Sequence, residues 1–233
     1  RLRIAGLGID RAGQTDAAGN WRVTMAAPRA LQRWSPERPR LYDVAVTAGE
    51  DQWRDRIGFR TIAVRGADIL LNGKPIYLRG ISMHEEELGA DPTRAMTPAA
   101  SRALLAEIKD GLHGNFVRLA HYPHSDVTVR LADELGLIVW SEIPVYWRVA
   151  WSNPDTLARA RAMLAENILR DRNRASIAIW SVANETPVTE ARNAFLRTLV
   201  ADARALDDTR LVSAALLVER EPTADHPIMT MAD

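Results

Sequence analysis

The chain contains no cysteine. That absence excludes disulfide bonds and thiolate metal sites, and it fits a cytosolic, periplasmic or secreted location equally well. An excess of charge of one sign is missing too, since 30 Lys and Arg balance 30 Asp and Glu. Nothing in that balance points to nucleic acid or an anionic membrane as a partner. No apolar run is long enough to span a bilayer. The opening residues R-L-R-I-A-G-L carry no signal pattern and do not read as a natural start. A fragment of a longer protein is therefore expected, and the compartment stays unknown. What remains is globular in composition, 47% hydrophobic and 26% charged over 233 residues, enough for one large domain or two small ones.

The first 62 residues read as β structure. Arg1 to Gly8 is a short strand candidate, and a polar, glycine-rich turn follows through Gly13 to Gly19. Asn20 to Met25 alternates, with Trp21, Val23 and Met25 on one face, as a half-buried strand does. Pro36 and Pro39 forbid regular pairing in R-W-S-P-E-R-P-R-L-Y. Leu41 to Val46 and Gln52 to Thr61 are two further strands across a Gly-Glu-Asp turn. Short strands at this spacing suggest part of a sandwich whose other part lies outside the chain.

From Ala63 the pattern changes. Ile69 to Leu78 reads as a hairpin about an Asn72-Gly73 turn. Ile76 to Ile81 is a strand, and His84 and Glu85 sit just past its end. Thr97-Pro98 opens a helix as N-cap and first helical residue. Strands at Asn115–Leu119, Leu137–Trp140, Ile177–Val182 and Arg210–Leu216 then alternate with helices at Ser125–Leu135, Pro154–Asp171 and Thr189–Leu206. Such alternation means a parallel sheet with right-handed crossovers, either doubly wound or closed into a barrel. A doubly wound nucleotide binder wants a glycine-rich phosphate loop after its first strand. Here that loop reads G-I-S-M-H-E-E-E, which would repel phosphate. Polar residues stand instead at the carboxyl ends of the strands, namely His84 and Glu85, Arg118 and His121, Glu142, then Asn184 and Glu185. That placement favours a TIM barrel, of which the chain supplies about half. On spacing alone Glu185 reads either as an acid near the positive end of the next helix or as a catalytic carboxylate.

The motifs resemble those of glycoside hydrolase family 2, the β-galactosidase/β-glucuronidase family. The matching stretches are R-W-S-P-E-R-P-R-L-Y, I-G-F-R at Ile57 to Arg60, L-N-G-K-P-I-Y-L-R-G, M-H-E-E, F-V-R-L-A-H-Y-P, A-D-E-L-G-L-I-V-W-S-E-I-P and R-D-R-N-R-A-S-I-A-I-W-S-V-A-N-E, in family order over most of residues 33 to 185. The resemblance implies an α/β fold. Residues 1–62 become the end of an immunoglobulin-like β-sandwich, and 63–233 the N-terminal half of a (β/α)8 catalytic barrel.

It further implies a retaining exo-glycosidase acting on β-glucuronides or β-galactosides through two glutamates, with Glu185 matching the acid/base. No residue here matches the nucleophile. Asn184 matches the neighbour that hydrogen-bonds a sugar 2-hydroxyl, and His84, Arg118 and His121 match positions lining the sugar pocket. Glu85 is a further substrate-binding candidate. Glu142 reads as a partner of Arg118 rather than a sugar contact. Tyr146 and Trp147 are candidates for stacking on sugar C–H faces, whereas Trp180, in mid-strand, is expected to pack. The usual N-H-P-S before the acid/base strand is here Asn173-Arg174-Ala175-Ser176.

No cofactor is expected, and no metal. His84, Glu85, His121 and Glu142 fall on separate strands without the spacing that fixes two ligands on one helix face. The extended motif after Glu142 that accompanies magnesium in some β-galactosidases is also absent. The alternative, from a different class, is a catalytically incomplete piece that only binds sugar or serves as scaffold. The expected partner is a carbohydrate substrate, with neither nucleic acid nor membrane. The open edges of a half-barrel would be closed by self-association or by the complementary half.

Overall fold

The computed structural model describes residues 1–87, 92–93 and 96–217. Residues 218–233, which the sequence reading assigns to the barrel, lie outside the described residues. No described helix is long and apolar enough to cross a membrane.

Strands β1 (Leu2–Ile4), β2 (Ile9–Arg11), β3 (Tyr42–Ala48) and β4 (Asp51–Ile57) form an antiparallel sheet in the order β2-β1-β3-β4. Ile4, Leu7, Tyr42 and Val44 bury one face of it, with Leu31 and Phe59 packed against them. The alternation of β3 and β4 was legible. The strand expected at Asn20 to Met25 is not formed, and that segment has no regular structure. Val23 is 38% exposed, so the alternating apolar side chains find no common buried face, and a strand without a ladder partner is not held. Asp16 Oδ1 instead accepts from the amides of Ala18 (3.0 Å) and Asn20 (2.8 Å), which closes a turn.

A three-stranded antiparallel sheet follows, β5 (Ile62–Arg65), β6 (Asp68–Leu71) and β7 (Lys74–Pro75). Its tight turn has Asn72 at φ 54° and Gly73 at φ 81°, the left-handed pair that Asn-Gly supplies. The strand expected at Ile76–Ile81 begins only at Gly80. Asn115 occupies the intervening backbone, accepting from Arg79 N through Oδ1 (2.8 Å) and donating from Nδ2 to Tyr77 O (3.0 Å). Gly80 must be glycine, because a Cβ there would lie 1.8 Å from Phe116 O.

The remaining strands, β8 (Gly80–Met83), β9 (Phe116–Leu119), β10 (Ile138–Glu142), β11 (Ile177–Asn184) and β12 (Leu211–Ala215), form one parallel sheet. Helices α1 (Pro98–Ala106), α2 (Asp126–Leu135), α3 (Pro154–Asp171) and α4 (Glu190–Leu206) connect them. The strand order is sequential, without the reversal that defines a doubly wound sheet, so the sheet is an arc of a barrel. The helix starts stand where capping residues placed them: Thr97, Ser125, Asn153 and Thr189 each accept an amide proton from the first turn. The turn after α1, Glu107–Gly111, widens to π-helical hydrogen bonding. Gly136 ends α2 at φ 75°, and a Cβ there would also press on Pro36 O at 2.5 Å.

Alternation divides each strand. Val117, Leu119 and Val139 join the helix-side core with Leu105, Leu164 and Leu196. Phe116, Ile138 and Trp140 turn to the other face, where Trp34, Leu71 and Ala178 fill the base. Trp34, fully buried, donates from Nε1 to Asp133 O at 2.8 Å and so joins the first sheet's connection to α2. Arg60 spreads its fork over the carbonyls of Ala175 (3.1 Å), Thr209 (3.1 Å) and Ile177. Arg174 binds Asp55 of β4 and lies 3.4 Å from Asp133. Arg174, one of two residues at which the chain departs from N-H-P-S, thus ties β4 to the start of β11.

Candidate active site

Strand β11 is buried along its whole length and ends at Asn184, with Glu185 exposed immediately beyond. Glu185 takes φ 48°, a left-handed conformation that is unusual for a residue with a Cβ and that clusters at functional sites. Its amide donates to Ala215 O at 2.8 Å, and its carboxylate makes no hydrogen bond or ion pair among the described residues. Asn184 is fixed on both sides: its amide donates to Val145 O (2.8 Å) and its carbonyl accepts from Trp147 N (3.2 Å).

Beside it lies a cluster drawn from three strand ends. Arg118 Nη2 donates to Glu142 Oε1 (2.8 Å) and Oε2 (3.0 Å) and to Asn184 Oδ1 (2.6 Å). His121 Nδ1 is 2.8 Å from Glu142 Oε1. Trp140 Nε1 (3.0 Å) and Ser181 Oγ (2.7 Å) both donate to Glu142 Oε2. Glu142 is fully buried, and its four donors match the lone pairs of an ionised carboxylate. The same Nδ1 also lies 3.2 Å from Arg118 Nη2, so His121 is held between Glu142 and Arg118. Arg118 therefore has Glu142 as its partner, as the sequence suggested, and uses the same nitrogen to orient Asn184.

His84, exposed, meets His121 edge-on at 5.2 Å, and Tyr146 lies 6.2 Å from His121. Tyr146 and Trp147 are 40% and 64% exposed and contact each other edge-to-face. Trp180 is fully buried and donates to Asp207 at 3.0 Å, which is packing, as expected. Glu85, a substrate-binding candidate of the sequence, faces the start of α2. Both its oxygens accept from Ser125 N (2.8 and 3.0 Å), and Oε1 accepts from Thr128 Oγ1 (3.1 Å). It serves the positive end of α2, a local attraction that competes with sugar binding.

Sequence reasoning missed Trp140 and Ser181. The signal for Trp140 was present, since residues i and i+2 of a strand share a face and Glu142 is two residues on. Ser181 needed the register, in which it stands opposite Glu142.

A separate cleft of about 940 Å³ lies between β3, β4 and α2, lined by Arg54, Asp55, Arg130 and Glu134 among others. It holds none of the strand-end residues, and Asp55 and Glu134 are paired there with Arg130, Arg174, Arg56 and Arg102. Among the described residues no group of three or more His, Asp or Glu is placed to hold a metal ion.

Polar and acidic side chains gathered at the carboxyl ends of barrel strands, with flanking aromatics, stand where TIM-barrel enzymes carry their active sites. The comparisons specify the family. A family model described as glycosyl hydrolases family 2, TIM barrel domain, matches residues 62–229, and the chain belongs to that family. It is 33% identical over 194 residues to a beta-galactosidase of Arthrobacter sp., covering 79% of this chain and 18% of that protein. It is 32% identical over 225 residues to the beta-glucuronidase of Rattus norvegicus, covering 88% of this chain and 33% of that protein. The apo structure of Bacteroides uniformis beta-glucuronidase 3 superposes with a TM-score of 0.70 at 33% identity, over 82% of this chain and 25% of that one. The chain thus spans well under half the length of these relatives. The fold is half a TIM barrel preceded by part of an immunoglobulin-like sandwich.

Proposed function

We propose that the chain supplies the acid/base half of the active site of a retaining exo-β-glycosidase of β-glucuronidase or β-galactosidase type. In this reading residues 1–62 close an immunoglobulin-like domain and residues 63–233 begin the catalytic barrel. The observation that carries the reading is the contrast between an exposed Glu185, without a side-chain partner among the described residues, and a buried, saturated Glu142 on the neighbouring strand. One carboxylate is free for proton transfer, and the other holds the pocket.

Glu185, protonated, gives its proton to the glycosidic oxygen as the C1–O bond breaks. A second carboxylate, supplied by the rest of the parent protein about 5–5.5 Å across the bond, attacks C1. Glu185, now ionised, removes a proton from water, which then attacks C1 and releases the sugar with its original configuration. Asn184, oriented by Arg118, donates its amide to a sugar hydroxyl. His121, oriented by Glu142, and His84 bind further hydroxyls, and Tyr146 and Trp147 offer apolar rings to the sugar or its aglycone. Glu85 keeps α2 and the His84 loop in place.

The test follows hydrolysis of aryl β-glucuronides and β-galactosides by the full parent protein, using proton NMR of the first-formed anomer. The β-anomer is expected first. A first-formed α-anomer would exclude double displacement, and no turnover of either series would leave a sugar-binding or scaffold role.

A further inference from the structure

Beyond Glu185 the chain must turn from β11 into α4 within Thr186 to Thr189, while Glu185 keeps its left-handed conformation. Thr186 is fully buried, and a buried carbonyl without a ladder partner needs a donor. Arg192 provides donors for two. Its Nη2 donates to Thr186 O at 3.2 Å and its Nε to Pro187 O at 3.3 Å. The guanidinium is wholly buried although it comes from the first turn of a helix that faces solvent elsewhere. Its own position is set by α4, since Thr189 Oγ1 accepts from Arg192 N at 3.1 Å and Nη1 donates to Asn193 Oδ1 at 2.9 Å.

We propose that Arg192 is a positioning residue for Glu185, transmitting the rigidity of α4 through the Thr186 and Pro187 carbonyls to the backbone of the acid/base. This rests on the glycosidase reading above. On the other side Glu185 is held by Ala215 O, and Asn184 by the Trp147 and Val145 backbones. The Arg192 fork completes the frame by fixing the residues that follow. Its planar donors hold two carbonyls at once, which a single ammonium does not reproduce. Proton transfer to the leaving oxygen depends on placement within a fraction of an ångström, so loosening this turn should harm the acid step more than sugar binding.

The experiment measures kcat/KM of the full parent protein and of Arg192→Met on a 2,4-dinitrophenyl glycoside, which leaves without protonation, and on the phenyl glycoside, which requires it. The ratio of the two values cancels the folded fraction. Arg192→Met is expected to shift the phenyl-to-dinitrophenyl ratio against phenyl by ~10- to 100-fold. Arg192→Lys should recover part of that loss, and it keeps the test alive if the methionine variant does not fold. An unchanged ratio in both variants, with or without a lower melting temperature, would reduce Arg192 to a structural arginine and overturn the proposal while leaving the glycosidase reading intact. A wild-type parent inactive on both substrates would instead overturn the reading and this inference together.

Discussion

Strand β11 carries a charged network at each end, and the two are built for different work. At the amino end Arg174, Asp55, Asp133, Arg210 and Asp207 are nearly all buried and bonded to one another or to backbone carbonyls. They seal the β-sandwich onto the barrel base. At the carboxyl end Glu142 is as deeply buried and as fully bonded, yet the residues around it, Glu185, His84, Tyr146 and Trp147, stand open. Charge at the base is consumed internally. Charge at the top is half consumed and half presented, which is what a site for an external substrate requires.

The largest expected effect breaks the top alone. Glu185→Gln in the parent protein should lower kcat/KM on a phenyl β-glycoside by about 10³-fold, within the usual range for removing a general acid/base. Its urea midpoint should stay unchanged, because among the described residues the carboxylate has no partner to lose. Steady-state kinetics and a denaturation curve on the same sample check both halves.

Trp34→Ala breaks the base alone. Removing this fully buried ring and its hydrogen bond to Asp133 O should cost about 3–5 kcal/mol in a denaturant titration. The kcat of the protein that remains folded should not change.

Asp133 sharpens the comparison through pH. Burial pushes its carboxyl up to about 6, outweighing the hydrogen bond from Ser176 N and the nearby Arg174, both of which pull it down. A folded-state pKa above the unfolded 3.8 means that the native state binds the extra proton. The stabilisation is full below pH 3.8 and is lost as pH rises through about 6. Asn mimics the neutral form, so Asp133→Asn should gain on wild type by roughly 2–3 kcal/mol between pH 4 and pH 7. Paired urea titrations at the two pH values read that change directly.

The smallest effect is at the rim. Trp147→Ala should raise KM for aryl glycosides by about fivefold with kcat held, as expected for an aromatic contact worth ~1 kcal/mol.

Much of the barrel was readable because local chemistry decides it. Thr97-Pro98, Ser125 with Gly136, Asn153-Pro154 and Thr189 mark helix ends by capping, and the helices stand within a residue or two of those marks. The sandwich was less readable, since Asn20–Met25 alternates correctly but pairs with nothing, and alternation does not specify a neighbour. The site divides in the same way. Arg118, Glu142 and Asn184 showed themselves as polar residues at strand ends. Ser181 and Arg192 look like ordinary strand and helix residues until β-sheet register brings Ser181 to Glu142 and the β11–α4 turn brings the Thr186 and Pro187 carbonyls to Arg192. Glu85 sat in the right place along the chain but was claimed by α2, a contact 40 residues away.

The central claim is that Glu185 is the acid/base of a retaining pair. Glu185→Ala in the parent protein, given a dinitrophenyl β-glycoside and sodium azide, tests it most directly. Azide should speed the slow second step and yield the β-glycosyl azide, identified by proton NMR. An α-glycosyl azide would make Glu185 the nucleophile, and turnover unaffected by the substitution would remove it from the chemistry.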